Sequence, residues 1–254
     1  MTMHSREEFE QKRAEWVRDM TLDPNLKRES LDLLVKADHY NWIHQTTWFG
    51  EPILQLPQDM FVLQEIIFRT RPKYIIEVGV AWAGSLLYYA TLMNALGGER
   101  IIGIDIYIPD DLKARIRAFG PLTERIELIE ASSIESSTLE RLRGILGDCR
   151  QTLIHLDSNH THEHVLKELE LYAHLVGPGY YMICGDTIVE EIPPQTHRPR
   201  PWGPGNNPKT ALNEFLKGSD SFKVDRQFQN RYLFTCNPDG YLLRTKEDGP
   251  GKIL

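Results

Sequence analysis

The chain has 254 residues, 41% of them hydrophobic and 26% charged, so it is long enough to bury a sizeable core and ordinary in length for an α/β domain. A net charge of −7 disfavours nonspecific attachment to nucleic acid or to an anionic membrane, although a local field can still hold a small anionic ligand. Three scattered cysteines without a CxxC pair exclude a disulfide framework and a zinc or iron–sulfur site, and with neither a secretory h-region nor a long apolar run the expected location is the cytoplasm, with no transmembrane segment.

Residues 5–20 read as an amphipathic helix with Phe9, Trp16, Val17 and Met20 on one face, ended by Asp23-Pro24. A second helix is expected over 29–38. The aromatic stretch Tyr40, Trp42, Trp48 and Phe49 follows, closing at Gly50. These rings suit core or subunit contact as well as a substrate platform, and they make a homo-oligomer the expectation. Residues 1–57 thus form a helical and aromatic extension, and 58–254 a separate domain.

In that domain helices are expected over 59–69, 84–96, 110–118, 135–146, 160–175 and 208–217. Strands are expected over 73–79, 100–105, 125–130, 152–157 and 179–184, with 222–225 and 232–236 as a closing antiparallel pair. The strands are continuous apolar runs, as required when helices cover both faces of a sheet. Their alternation with helices predicts a doubly wound, mostly parallel seven-stranded α/β sheet, Rossmann-like in class. The proline-rich segment 187–207, ending Gly203-Pro204-Gly205-Asn206-Asn207, has no hydrophobic period and reads as a long loop, either a lid over the carboxyl edge of the sheet or a surface connection.

The chemistry-bearing residues fall at the carboxyl ends of the expected strands. The first strand ends in Glu77-Val78-Gly79, and its turn closes with Gly84-Ser85. This is not the G-x-G-x-x-G of dinucleotide binders, and an acid at Glu77 suits a ligand carrying an ammonium and a sulfonium better than a pyrophosphate; a purely structural glycine turn is the alternative. Asp105 ends the second strand, where an acid accepts ribose hydroxyls or caps a helix. Ser132 and Ser133 follow the third strand and either line an adenine pocket or cap the helix beginning near Glu135.

The fourth strand runs into Leu156-Asp157-Ser158-Asn159-His160-Thr161-His162-Glu163-His164, and the fifth ends in Cys184-Gly185-Asp186-Thr187. Asp157 and Asp186 end successive strands and can meet around a hard divalent cation such as Mg²⁺. His160 suits a general base, because its ordinary pKa lies near operating pH. His155, inside the strand, reads as structural. A zinc site on His160 and His164 lacks an HExxH pattern and a third ligand.

Taken together, Tyr40-Asn41-Trp42, the run from Gly50 through Gln55 to Asp59, Glu77 to Ser85, Leu156 to His162, and Gly203 to Pro208 resemble the cephalosporin hydroxylase / rhamnosyl O-methyltransferase family over about residues 40–244. The resemblance implies a class I methyltransferase fold, S-adenosylmethionine as cofactor, often Mg²⁺, and a sugar or natural-product hydroxyl as acceptor. It implies Glu77, Gly79, Gly84, Ser85, Asp105, Ser133 and Asp157 around the cofactor, Asp157 and Asp186 as metal ligands, and His160 with Asp157 as the catalytic pair. Gly185 departs from the pattern, since the family usually has glutamate there; one carboxylate fewer means a weaker grip on the metal. A cofactor-binding partner protein without turnover, or an oxygenase-type tailoring enzyme, are the alternatives.

Overall fold

The computed structural model describes residues 5–247. Helix α1 spans Arg6–Thr21, capped by the Ser5 hydroxyl, and α2 spans Pro24–Asp38. The second helix starts five residues earlier than expected. Asp23, read as a breaker, is also its N-cap: the carboxylate accepts from the amides of Asn25 and Leu26, and Pro24 sits where a missing N–H costs nothing. No residue of α1 is buried; Phe9 and Trp16 meet edge to face and stay exposed. The aromatic stretch contains a short hairpin, β1 (Thr46–Trp48) with β2 (Glu51–Ile53), that the sequence pattern did not reveal; Phe49 and Gly50 turn it with positive φ.

Helix α3 (Pro57–Thr70) leads into alternating strands and helices: β3 (Tyr74–Val78), α4 (Gly84–Leu96), β4 (Arg100–Asp105), α5 (Asp110–Arg117), β5 (Ile126–Glu130), α6 (Ser136–Leu146), β6 (Thr152–Leu156), α7 (His162–Ala173), β7 (Tyr181–Cys184) and α8 (Pro208–Gly218). The chain closes with β8 (Phe222–Val224) and β9 (Tyr241–Arg244). The sheet order is β5-β4-β3-β6-β7-β9-β8, parallel through β7, with β9 antiparallel to both its neighbours. The expected seven-stranded, mostly parallel sheet is therefore present.

One strand differs from expectation. Residues 232–236 do not pair in the sheet, because Thr235 and Cys236 spend their donors on the buried carboxylate of Asp59 in α3. The place beside β7 goes to β9, whose Tyr241 and Leu242 are fully buried on opposite faces. Arg244, also fully buried, donates to the carbonyls of Ala173 and Val176 at the end of α7, which is how a cation is tolerated there.

Pleating sorts the strand residues between two cores. Ile75, Ile101, Leu153 and Ile183 face α3 and α4, while Ile76, Ile102, Ile154 and Met182 face α6, α7 and α8. The parity of the first face carries Glu77 and His155, which are thereby aimed at α4. The chain order reverses between β3 and β6, where their carboxyl ends open the crevice that holds ligands in open α/β sheets. Cys149, Cys184 and Cys236 are free thiols, and no helix among the described residues is long and apolar enough to cross a membrane.

Candidate active site

At the carboxyl ends of β3, β4 and β6 lies a cavity of about 760 Å³, within the size range of small-molecule sites. Glu77, Gly79, Ser85, Asp105, Ser133, Asp157, His160 and Asp186 all line it. Residues of the proline-rich segment, Ile192 to Arg198 with Arg200 and Trp202, form its far wall. Gly84 lies outside the wall. A Cβ there would stand 2.3 Å from the Pro52 carbonyl oxygen, so this glycine admits the β2 backbone against α4 rather than a ligand. Gly79 has φ +98°, and a Cβ on it would stand 2.0 Å from the Asp157 carbonyl oxygen; the bend exists to let the ends of β3 and β6 touch.

The turn after β3 is held from β4. Oδ2 of Asp105 accepts from the amides of Val80 and Ala81 at 2.8 and 3.3 Å, and Oδ1 from the amide of Tyr107 at 3.2 Å. Ala81 and Ala83 have φ of +45° and +63°, a conformation costly for residues with a Cβ, so Asp105 fixes a strained loop. That is neither a helix cap nor a carboxylate wholly free for ribose. Ser133 likewise has a protein partner: its hydroxyl donates at 2.5 Å to Oε1 of Glu168, which also accepts from Ser158 at 2.6 Å and lies 3.1 Å from His164 Nε2. Glu168, fully buried on α7, ties the loops after β5 and β6 together, and nothing in the sequence marked it.

Beneath the cavity floor Glu77 and His155 form a buried pair, Oε1 to Nδ1 at 3.6 Å. Oε2 of Glu77 accepts from Ser85 Oγ at 2.6 Å, while Oε1 is buried without a hydrogen bond. The amide of Gln55 and the hydroxyl of Tyr89 lie 3.4 and 3.2 Å from His155 Nδ1. Burial opposes a proton on His155, but Glu77 and Asp157 outweigh it and hold its pKa above the ordinary value. His155 is fully buried in β6, and its charge favours the ionised form of Asp157 at the cavity.

Three side chains meet just beyond the carboxyl ends of β6 and β7. His160 places Nε2 3.2 Å from Asp157 Oδ1 and Nδ1 3.4 Å from Asp186 Oδ2. All three offer ligand atoms within 4.8 Å of one another, so His160 joins the two acids as a possible metal donor, a role the sequence reading had not given it. Burial works against the His160 proton, yet Asp186 and Asp157 raise its pKa. Burial pushes Asp157 up, but His160, His155 and Gln55 bring it below the usual carboxylate value. Burial and the nearby Asp157 lift Asp186 despite His160. Asp186 itself has a positive φ of 51°, and its amide donates at 2.9 Å to Oδ1 of the buried Asn237, a positioning residue missed because it lies 51 residues away in sequence. The ring of Trp202 meets His160 edge-on at 4.9 Å.

Tyr40, Trp42, Trp48 and Phe49 do not line the cavity. Trp48 packs on Tyr88, Trp42 against Phe234, and Tyr40 and Phe49 are exposed, so these four rings form no platform in the cavity; the tryptophans that line it are Trp82 and Trp202. His162 bonds Thr210, and His164 bonds Glu168 and Ser133, which accounts for both without zinc.

A family model described as Rhamnosyl O-methyltransferase/CmcI matches residues 40–245. The rhamnosyl O-methyltransferase of Mycobacterium leprae is 26% identical over 220 residues, covering 83% of this chain and 90% of that protein. Its counterpart in Mycobacterium tuberculosis is 25% identical over 222 residues, covering 83% and 85%. A solved structure of CmcI with Mg and SAM is 22% identical, with a TM-score of 0.56 over 80% of this chain and 78% of that one. An SAH-bound methyltransferase of Podospora anserina is 15% identical, with a TM-score of 0.53 over 98% and 99%. At these identities the solved structures share the fold.

Proposed function

The chain belongs to the rhamnosyl O-methyltransferase/CmcI family, and on that premise we propose that it transfers the methyl group of S-adenosylmethionine to a hydroxyl of a sugar or glycosylated natural product. The observation that carries this reading is His160 held between Asp157 and Asp186 on the wall of the same cavity that Glu77 and Asp105 reach.

The residues present fit the cofactor. Oε1 of Glu77 is buried without a hydrogen bond, with only the ion-pair contact to His155 at 3.6 Å, and can still accept from a ligand donor. Gly79, Ser85, Asp105, Ser133 and Asp157 line the same cavity. Asp105 would meet a ribose hydroxyl through what remains of Oδ1. Asp157 and Asp186 would offer carboxylate oxygens to Mg²⁺, with one acid fewer than the family pattern, and His160 beside them stays free to take a proton. A divalent ion held there would supply Lewis acidity toward the acceptor hydroxyl.

Asp157 accepts the Nε2–H of His160 and so fixes the tautomer, leaving Nδ1 as the base. The acceptor oxygen attacks the methyl carbon, the carbon–sulfur bond breaks, and the hydroxyl proton passes to His160 Nδ1; the products are a methyl ether and S-adenosylhomocysteine. Because the methyl group already sits on a cationic sulfur, alignment supplies much of the remaining rate.

The later part of the extension contributes to this site, since Leu34, Asp38, His44 and Gln55 line the cavity. The exposed rings of Trp16 and Tyr40 support a homo-oligomer, and the free thiols support a reducing cytoplasm. The reading is tested with methyl-labelled S-adenosylmethionine, Mg²⁺ and a panel of glycosides: label appears in an acceptor ether. Cofactor binding with no transfer to any hydroxyl would favour a non-catalytic partner protein.

A further inference from the structure

The two ends of the cavity differ in charge. The sheet end carries Glu77, Asp105 and Asp157. The opposite end lies between α2 with its following turn and residues 192–202, and contributes two guanidiniums, Arg198 and Arg200; Arg198 acts on Asp186 at a distance, and the acid it touches is Asp38. That acid is already engaged. Oδ1 of Asp38 accepts from Arg198 Nη2 at 2.5 Å, and Oδ2 accepts from Gln195 at 2.7 Å and lies 3.1 Å from His197.

Holding the 192–202 segment onto α2 explains this contact but leaves one donor of Arg198 unused and Arg200 without an ion pair. Nε of Arg198 is buried with no partner. Arg200 stands at the exposed rim of the cavity, its guanidinium 5.5 Å from the centre of the Trp202 ring, and makes no ion pair among the described residues. Trp202 in turn touches His160, so the unpaired cation stands one ring away from the base. The local field is felt by His44, whose pKa is lowered by burial and then by Arg198 and Arg200. Asp38 offsets one of the two guanidiniums and no ion pair among the described residues offsets the other, and a guanidinium is shaped for two-point contact with a carboxylate or phosphate.

We propose, building on the methyl-transfer reading above, that the acceptor carries an anionic group, a carboxylate or a phosphate, seated against Arg200 and Arg198 while its hydroxyl meets His160. The anion confers selectivity and register; the chemistry at the hydroxyl is unchanged.

The test uses the full chain loaded with S-adenosylhomocysteine and ¹⁵N-labelled at arginine. Its Nε–H signals are followed during titration with glucuronate, glucose 1-phosphate and glucose. Saturable shifts at Arg198 and Arg200 are expected with one or both anions and not with glucose, and the better of the two anions identifies carboxylate or phosphate. Arg200→Gln should weaken anion binding about tenfold with S-adenosylhomocysteine affinity preserved, which also reports an intact fold. The proposal is overturned if neither anion saturates, if glucose shifts the signals equally, or if the variant binds anions as well as the parent. Anion binding without any methyl transfer would instead remove the methyl-transfer reading and leave an anion site.

Discussion

The carboxylate of Asp157 lies over Gly185: a Cβ on Gly185 would stand 2.9 Å from Asp157 Oδ1 and equally close to the Leu156 carbonyl oxygen. The absence of an acid at 185 is therefore not a simple vacancy in a ligand set. Asp157 occupies the space through which a side chain at 185 would leave the backbone. Gly185→Glu should fail to restore a third carboxylate, and Gly185→Ala should push Asp157 away from His160, costing about 1–3 kcal/mol as overpacking does. Thermal unfolding and kcat measured against Mg²⁺ concentration check this; an activity gain in Gly185→Glu would refute it.

His160→Ala removes the proposed base. A loss of about 10²–10⁴-fold in kcat is expected, with S-adenosylhomocysteine affinity nearly unchanged, because His160 faces the acceptor end. Asp157→Asn should also lower kcat, since an amide holds His160 Nε2 less well. Native turnover by His160→Ala would show that another group takes the proton.

Asp105→Ala leaves the amides of Val80, Ala81 and Tyr107 without their acceptor. The loop that keeps Ala81 and Ala83 in the left-handed region then relaxes. A stability loss of about 1–3 kcal/mol is expected together with at least about tenfold weaker cofactor binding. Calorimetry distinguishes this from a peripheral residue, whose removal would leave affinity intact.

Asp59 couples stability to pH. It is fully buried, and burial raises its carboxyl to about 6 despite hydrogen bonds from Thr235, Cys236 and Tyr241. A carboxyl raised on folding contributes stability that is complete below its unfolded pKa of about 4 and is lost as pH rises through the folded value, about 6. The loss is on the order of 3 kcal/mol. Urea unfolding between pH 4 and 7.5 should show this fall, and Asp59→Asn should flatten it; an unchanged slope in the variant would exclude Asp59 as the source.

Asp38→Ala should free the far wall. With Arg198, Gln195 and His197 released, amide hydrogen exchange across 192–202 is expected to accelerate, and the KM for the acceptor to rise more than that for the cofactor. Unchanged exchange would mean that the proline-rich segment holds its place without α2.

The alternation of buried strands with amphipathic helices was legible in the sequence because both patterns are local. Helices 84–96 and 208–217 and strand 100–105 came within a residue of their observed ends, and the polar residues at strand ends identified the cavity edge. Residues 232–236 were misread for the complementary reason: a short apolar run looks like a strand, and only folding revealed that Asp59, more than 170 positions away, takes its donors. Distance in sequence likewise hid Asn237 beneath Asp186, Glu168 between two loops, and the pairing of Asp38 with Arg198. The residue types therefore determined by themselves that acids, a histidine and glycines would gather at one sheet edge. Which groups stay free for a ligand was decided only in three dimensions, because hydrogen-bond capacity is shared among whatever neighbours the fold supplies. Asp105 and Ser133 were largely claimed by the protein, whereas Oε1 of Glu77 kept a hydrogen-bonding position and the guanidinium of Arg200 formed no ion pair among the described residues.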